Sequence, residues 1–236
     1  MKVVTIIPSR LKSTRLHHKP LVDIGGKPMI IRVYEQAVKA NIGDVFVATC
    51  DTEIENLLDS YGYKYISTKN NINTGTDRVF SAYKILAGNY DIIINLQGDM
   101  PFVNPNSLVS IYQSLEKNEC DISTGATYIT DKKSIHDPNT VKIILSENLY
   151  AIYFSRSPIE LKKNYKHLGI YCFKQKALEK FISLPQSSLE KEKNLEQFRA
   201  LENFMKIKVA IVDDPNISID TKDDLLQCNE YMKLIN

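Results

Sequence analysis

Cysteine is scarce in this 236-residue chain. Its four cysteines, Cys50, Cys120, Cys172 and Cys228, stand far apart with no CxxC pair, which argues against both a zinc site and a disulfide framework and leaves reduced thiols. Glycine and proline are thin as well, nine of each, too few for a collagen-like or low-complexity chain. Neither sign of charge is in excess: 30 Lys and Arg face 28 Asp and Glu, a net +2. A broadly basic nucleic-acid surface is therefore not indicated, and any cationic site must be local. No apolar run approaches a membrane span. The N-terminal apolar stretch stops at Pro8, Ser9 and Arg10, before a signal-peptide core could form. A cytoplasmic protein with no membrane and no nucleic-acid partner is the expectation.

What is present is an ordinary globular composition, 43% hydrophobic and 25% charged, in a length that suits one large domain or a body with a smaller lobe. Continuous β-branched runs at Val3–Ile7, Val45–Thr49, Tyr63–Ile66 and Ile92–Leu96 predict strands buried on both faces. Segments of helical period separate them, at Pro28–Ala40, Thr52–Tyr61 and Gly75–Leu86, with Asp51 placed to cap the second. Alternating strands and crossover helices predict a parallel sheet covered on both sides. After Pro101 the rhythm changes. A helix at Pro105–Lys117 leads to strands at Ile122–Ile129, Val141–Leu145, Ala151–Phe154 and Gly169–Phe173, close enough in sequence to pair antiparallel. Helices at Gln175–Ile182 and Leu189–Phe204, a strand at Ile207–Val212 and a helix at Thr221–Met232 finish the chain. With no linker or repeat, the second part reads as an elaboration of one domain.

In an open parallel sheet, ligands sit beyond the carboxyl ends of the strands. The loop after the first strand carries Arg10, Lys12, Arg15 and Lys19 with no intervening acid, together with Ser13 and Thr14. Guanidinium forks match phosphate oxygens in pairs and a lysine adds a mobile point charge, so a polyphosphate fits this loop, whereas a merely solvated basic loop is the bland alternative. GxGxxG and GxxxxGK[ST] are both missing, which removes the main support for a dehydrogenase or a P-loop hydrolase. Gly25-Gly26 reads as a turn feeding the helix at Pro28. Two acids stand at strand ends: Asp99 after Gly98, where the backbone can approach closely, and Asp220 before the last helix. A hard divalent cation beside phosphates needs only one or two protein carboxylates. Asp220 could instead cap that helix, although Thr221 could serve as the cap and leave Asp220 free.

Taken in order, Ile7-Pro8-Ser9-Arg10, Ser13-Thr14-Arg15-Leu16, Lys19-Pro20-Leu21, Thr74-Gly75-Thr76-Asp77-Arg78, Asn95-Leu96-Gln97-Gly98-Asp99, Ser155-Arg156-Ser157-Pro158-Ile159, His167-Leu168-Gly169-Ile170-Tyr171, Leu195-Glu196-Gln197-Phe198-Arg199 and Asp220-Thr221 resemble the nucleotide-sugar-forming cytidylyltransferases that activate 3-deoxy-D-manno-octulosonate (Kdo) for lipopolysaccharide. The resemblance runs nearly end to end. It implies an α/β nucleotidyltransferase-like fold over residues 1–236: a mixed, mainly parallel sheet flanked by helices in a Rossmann-like three-layer arrangement, with a smaller antiparallel portion. Residues 1–104 would mainly bind CTP, and residues 122–205 would bind the sugar acid and form a homodimer. The implied catalytic residues are Arg10, Lys19 and Asp99. CTP would be bound by Arg10, Ser13, Arg15, Lys19, Thr74, Gly75, Arg78 and Gln97, the sugar acid by Arg156, His167, Tyr171, Glu196, Gln197 and Arg199, and Mg²⁺ by Asp99 and Asp220. His17 and His18 fall outside the resemblance and are expected to be solvated.

The chain departs from that family's pattern at Met100 and Cys50, where acids are common, and between Pro158-Ile159 and His167, where only residues 160–166 intervene. The short segment bears on the sugar-side rim and the dimer contact. Another α-keto sugar acid (8-amino-Kdo or a nonulosonic acid) and a non-catalytic nucleotide-binding module are the competing readings. Retention of both Asp99 and Asp220 speaks against the module.

Overall fold

Val3–Pro8 forms the first strand, β1, and Val3 to Ile7 are all buried, as a strand covered on both faces requires. A computed structural model describes residues 1–13, 15–87, 90–159, 161–215 and 217–235, with side chains up to Met232; Thr14 and Glu160 lie outside the described residues. After β1 come a short 3₁₀ turn at Lys19–Leu21 and a hairpin of β2 (Asp23–Ile24) and β3 (Lys27–Pro28). Gly25 and Gly26 hold φ at 55° and 85°, the paired left-handed conformation of a tight two-residue hairpin. Helix α1 (Met29–Lys39) buries Met29, Ile30, Ile31, Val33, Tyr34 and Ala37, with its first turn closed in all round and one face buried beyond it. Next follow β4 (Asp44–Thr49), α2 (Thr52–Ser60), β5 (Tyr65–Ser67), α3 (Gly75–Ile85) and β6 (Ile92–Asn95).

These longer strands pair in parallel in the order β6-β1-β4-β5. The chain builds outward from β1 through β4 to β5 and then returns to the other side of β1 for β6. Strand order therefore reverses between β1 and β6, and the loops leaving their carboxyl ends splay apart there and open a crevice. That reversal positions the site.

Residues 107–214 form a second compact unit, inserted in sequence between the two stretches of the first, 1–106 and 215–236. It is opened by α4 (Pro105–Glu116) and contains β7 (Ile122–Tyr128), α5 (Lys132–His136), β8 (Lys142–Leu145), β9 (Ala151–Ser155), β10 (Tyr165–Lys174), α6 (Gln175–Ser183), α7 (Ser188–Lys193), α8 (Gln197–Glu202) and β11 (Ile207–Ile211). Its pairing is mixed: β10 runs antiparallel to β7 and β8, β8 antiparallel to β9, and β11 parallel to β7.

Two expected elements change by more than a few residues at their ends. Strand β10 begins at Tyr165 instead of Gly169, because His167, polar in sequence, is buried in the ladder opposite Ala126. The single helix expected at Leu189–Phe204 is two: Asn194, in the left-handed region, ends α7 and α8 restarts at Gln197. The last helix, α9 (Lys222–Ile235), belongs to the first unit. There Cys228 and Met232 join Leu16, Ile24, Met29, Phe102 and Ile219 in one apolar cluster.

Candidate active site

The loops leaving β1 and β6 and the start of α3 enclose a cavity of about 590 Å³, within the size range of small-molecule sites. Arg10, Ser13, Arg15 and Lys19 line it from the first loop, Thr74, Gly75 and Arg78 from α3, and Gln97 and Asp99 from the loop after β6. Every residue expected at the nucleotide, and Asp99 with them, is thus brought to one hollow. Lys12 and Asn73 line it too; Asn73 was missed, and its only signal is adjacency to Thr74. Gly98 is required by space, since a Cβ there would lie 3.0 Å from the Pro8 carbonyl oxygen. This is the close approach of two strand ends.

Apolar anchors set the charged residues. Leu16 and Ile219 are buried in the cluster beneath α9, so their neighbours Arg15 and Asp220 are held at its edge. The Ile219 amide also donates to the Asp99 carbonyl at 3.0 Å, which aligns the two aspartates. Between them lies the Lys19 ammonium, 2.7 Å from Asp99 Oδ2 and 2.6 Å from Asp220 Oδ1. Arg15 reaches the other Asp220 oxygen at 3.2 Å. Burial alone would lower the Lys19 pKa, but the two carboxylates outweigh it and hold the ammonium above its ordinary value.

The two readings of Asp220 are resolved by α9. Thr221 Oγ1 accepts from the Asp224 amide at 3.2 Å, and Asp224 Oδ2 accepts in return from the amides of Thr221 and Asp220 at 2.8 and 2.9 Å. Thr221 and Asp224 cap the helix reciprocally. The Asp220 carboxylate is turned instead to Lys19 and Arg15.

Thr74 caps α3, its hydroxyl accepting from the Asp77 amide at 3.0 Å and donating to Asp77 Oδ2 at 2.7 Å. Arg78 is buried and donates to Thr68 Oγ1 at 2.5 Å and to the carbonyls of Lys69 and Ile72 at 3.5 Å each. Its part in the cavity is to shape the 68–72 wall. The Gln97 amide nitrogen donates to Asn95 Oδ1 at 3.1 Å, and Asn95 donates to Thr76 at 3.1 Å, a chain that fixes the Gln97 side chain.

Asp51 does not cap α2 with its side chain. Its carboxylate accepts from the Leu11 amide at 2.8 Å and so ties the basic loop to the end of β4. Sequence reasoning missed that brace because it joins residues 40 positions apart. His17 and His18 are exposed, as expected, and stack on each other.

With this geometry in view, comparison with known proteins is decisive. The cytidylyltransferase family model matches residues 4–207. This chain belongs to the cytidylyltransferase family. It is 45% identical over 238 residues to the 3-deoxy-manno-octulosonate cytidylyltransferase of Rickettsia prowazekii (strain Madrid E), covering 99% of this chain and 96% of that one. The protein of the same name from Parabacteroides distasonis is 40% identical over 241 residues, covering 95% and 96%. The solved structure of CMP:2-keto-3-deoxy-manno-octonic acid synthetase complexed with CTP superposes with a TM-score of 0.92 at 34% identity, over 100% of both chains. The mixed, mainly parallel nucleotidyltransferase-like fold is that of this family.

The two departures from the family's acids sit differently. Met100 is buried. Cys50 is half-buried, its Sγ 3.8 Å from Asp51 Oδ2, next to the brace of the basic loop and not at the carboxylate pair.

The residues expected at the sugar acid all lie in the second unit, in varied settings. Tyr171, Glu196 and Gln197 border a cavity of about 10 Å³, and Tyr171 donates to Gln197 Oε1 at 3.4 Å. Gln197 is 5% exposed, and its Nε2 has no hydrogen-bond partner among the described residues. His167 is buried, 3.0 Å from Thr124 Oγ1, and burial pushes its pKa down to about 3, so the ring is neutral. Burial and the Glu196 charge push the Tyr171 phenol up. Arg156 is exposed and donates to the Pro138 carbonyl at 3.2 Å. Arg199 is paired within its own unit. Its guanidinium forks onto Glu190 at 2.9 and 2.5 Å, with both side chains 6% exposed, and lies over the Phe181 ring. An arginine so committed fastens α7 to α8.

Proposed function

We propose that this cytidylyltransferase transfers the cytidylyl group of CTP to Kdo, giving CMP-Kdo and pyrophosphate. The anomeric hydroxyl oxygen of the sugar acid bonds to the α-phosphorus of CTP, the bond from that phosphorus to the bridging oxygen breaks, and the hydroxyl proton passes to solvent. No protein nucleophile is needed, so catalysis consists of positioning and charge neutralisation. The observation that carries this reading is the cavity at the β1/β6 reversal, lined by Arg10, Arg15, Lys19 and Asp99, with Asp220 paired to Lys19 and Arg15.

In this reading Arg10, Arg15 and Lys19 bind the triphosphate and the departing pyrophosphate, and Ser13 adds a hydrogen bond. Thr74, Gly75 and Gln97 border the nucleoside, and Arg78 holds the wall behind it. Asp99 and Asp220 suit Mg²⁺: they supply two hard anionic oxygens that converge on one cationic point, and phosphate oxygens and water complete such a shell. The ion, when bound, supplies Lewis-acid withdrawal of charge from the reacting phosphate. In the second unit the exposed Arg156 is the cation assigned to the sugar-acid carboxylate, Tyr171, Glu196 and Gln197 are the hydrogen-bonding groups assigned to its hydroxyls, His167 lies 5.5 Å from Tyr171 between ring centroids, and Arg199 holds Glu190.

A cytoplasmic homodimer completes the proposal. No described helix is long and apolar enough to cross a membrane. The second unit leaves Tyr128, Ile152 and Leu161 exposed, side chains suited to an isologous contact.

The test is pyrophosphate release with Mg²⁺, each nucleoside triphosphate in turn, and Kdo, 8-amino-Kdo or a nonulosonic acid as acceptor. Release with CTP and Kdo alone is expected. Release with a different acceptor overturns the substrate and leaves the reaction, and no release with any pair overturns both.

A further inference from the structure

Lys19 stands where a lysine that only holds phosphate would not need to be. It is 15% exposed, and its ammonium lies on the line of approach of both Asp99 Oδ2 and Asp220 Oδ1, at 2.7 and 2.6 Å. Those same two oxygens are the ones a shared divalent cation would draw in, to roughly 2.0–2.1 Å for Mg²⁺. An ammonium and a metal ion cannot occupy that point together, since they would overlap and repel. Arg15 balances the second Asp220 oxygen, so the two carboxylates are already matched by two side-chain cations.

We infer that Lys19 is an exchangeable internal cation of the carboxylate pair: it competes with the divalent metal for Asp99 and Asp220, and is released to the triphosphate when metal and nucleotide enter together. The inference rests on the proposed metal role of Asp99 and Asp220 and adds an order of loading to it. Lys19 also lines the phosphate cavity, so a swing of its flexible four-carbon stem changes one anionic partner for another without leaving the ammonium unpaired. The exchange conserves charge locally, because the cations freed from the carboxylates meet the net negative metal–triphosphate complex. It follows that CTP and metal each raise the other's affinity, reciprocally and by the same factor. Without nucleotide the released ammonium would have no anion to receive it, so metal binds weakly.

The experiment is Mn²⁺ binding followed by electron paramagnetic resonance of the free ion, on full-length wild type, Lys19→Met, Lys19→Arg and Lys19→Met/Asp220→Asn, each with and without CTP and without sugar acid. Thermal melts establish that each is folded. Without CTP, Lys19→Met is expected to bind Mn²⁺ more tightly than wild type by roughly 5- to 150-fold, the usual span of such a coupling. The gain on adding CTP shrinks in that variant by the same factor. Lys19→Arg keeps the cation and stays as weak as wild type, and the double variant loses the gain. Should Lys19→Met not fold, Lys19→Gln carries the same expectation. Equal, Asp220-dependent Mn²⁺ affinity in wild type and Lys19→Met overturns the competition while leaving the metal site standing. Absence of any Asp220-dependent Mn²⁺ binding, even with CTP, overturns the metal role and the competition with it.

Discussion

Lys19 in the first unit and Lys142 in the second are both drawn largely out of solvent, and their partners differ in kind. Lys142 donates to three main-chain carbonyls, those of Asp137 at 2.7 Å, Thr140 at 2.8 Å and Arg156 at 3.0 Å. Burial pulls its pKa below the ordinary value, whereas the carboxylates around Lys19 raise that of Lys19. Main-chain carbonyls cannot be taken over by a ligand without unfolding the turn, so Lys142 is a fastener. Carboxylates can be taken over by a metal. The arginines repeat the contrast: Arg15 meets Asp220 with 59% of its side chain exposed, while Arg199 and Glu190 are closed away together. The first unit presents its charges for exchange, and the second uses them to hold its own loops.

That contrast can be broken by substitution. Its largest consequence is in the second unit. Arg199→Met leaves Glu190 buried without its counter-ion and should lower unfolding free energy by about 3–5 kcal/mol, read by urea denaturation, with CTP affinity unchanged. A loss below about 1 kcal/mol would mean that the pair behaves as a surface one. Next comes Asp99→Asn in the first unit. It should reduce pyrophosphate release at saturating CTP by about 10²–10³-fold while leaving the melting temperature near that of wild type. Turnover close to wild type would remove Asp99 from the reaction.

The third effect depends on pH. His167 has a folded pKa of about 3 against an ordinary 6.5, so below pH 6.5 the unfolded chain takes up a proton that the folded chain does not. Its contribution to stability is complete above that pH and is lost as pH falls from 6.5 toward 3, by about 1.4 kcal/mol per unit. His167→Asn should therefore flatten the stability profile between pH 6.5 and 5; an unchanged slope would show that the ring is protonated in the fold. Smallest is Thr221→Ala, which removes the α9 cap and should cost about 1 kcal/mol with turnover nearly intact.

The legible features were those written in neighbouring residues. Continuous β-branched runs gave β1, β4 and β6, and a run of cations without an acid gave the basic loop that lines the cavity. Paired glycines gave the β2–β3 turn. Features joined across the chain were not legible. Asp51 has a local signature as a helix cap, and nothing nearby in sequence announces the Leu11 amide that claims its carboxylate. Glu196 and Arg199 have the spacing of a helical pair, but Glu190 holds the guanidinium across the break at Asn194. For Asp220 and Thr221 either residue could cap, and only the Asp224 carboxylate folding back on both amides chooses between them.

Asp220 decides most directly whether the first unit is built for exchange: its carboxylate is then a metal ligand in the reaction, and otherwise no more than an ion-pair partner of Lys19 and Arg15. Asp220→Asn should be measured for pyrophosphate release with Mg²⁺, CTP and Kdo and for unfolding free energy in the same preparation. A rate loss of about 10²-fold or more at saturating CTP is expected, with stability within about 0.5 kcal/mol of wild type. A near-normal rate at saturating CTP, whatever the stability, would overturn the ligand role of Asp220.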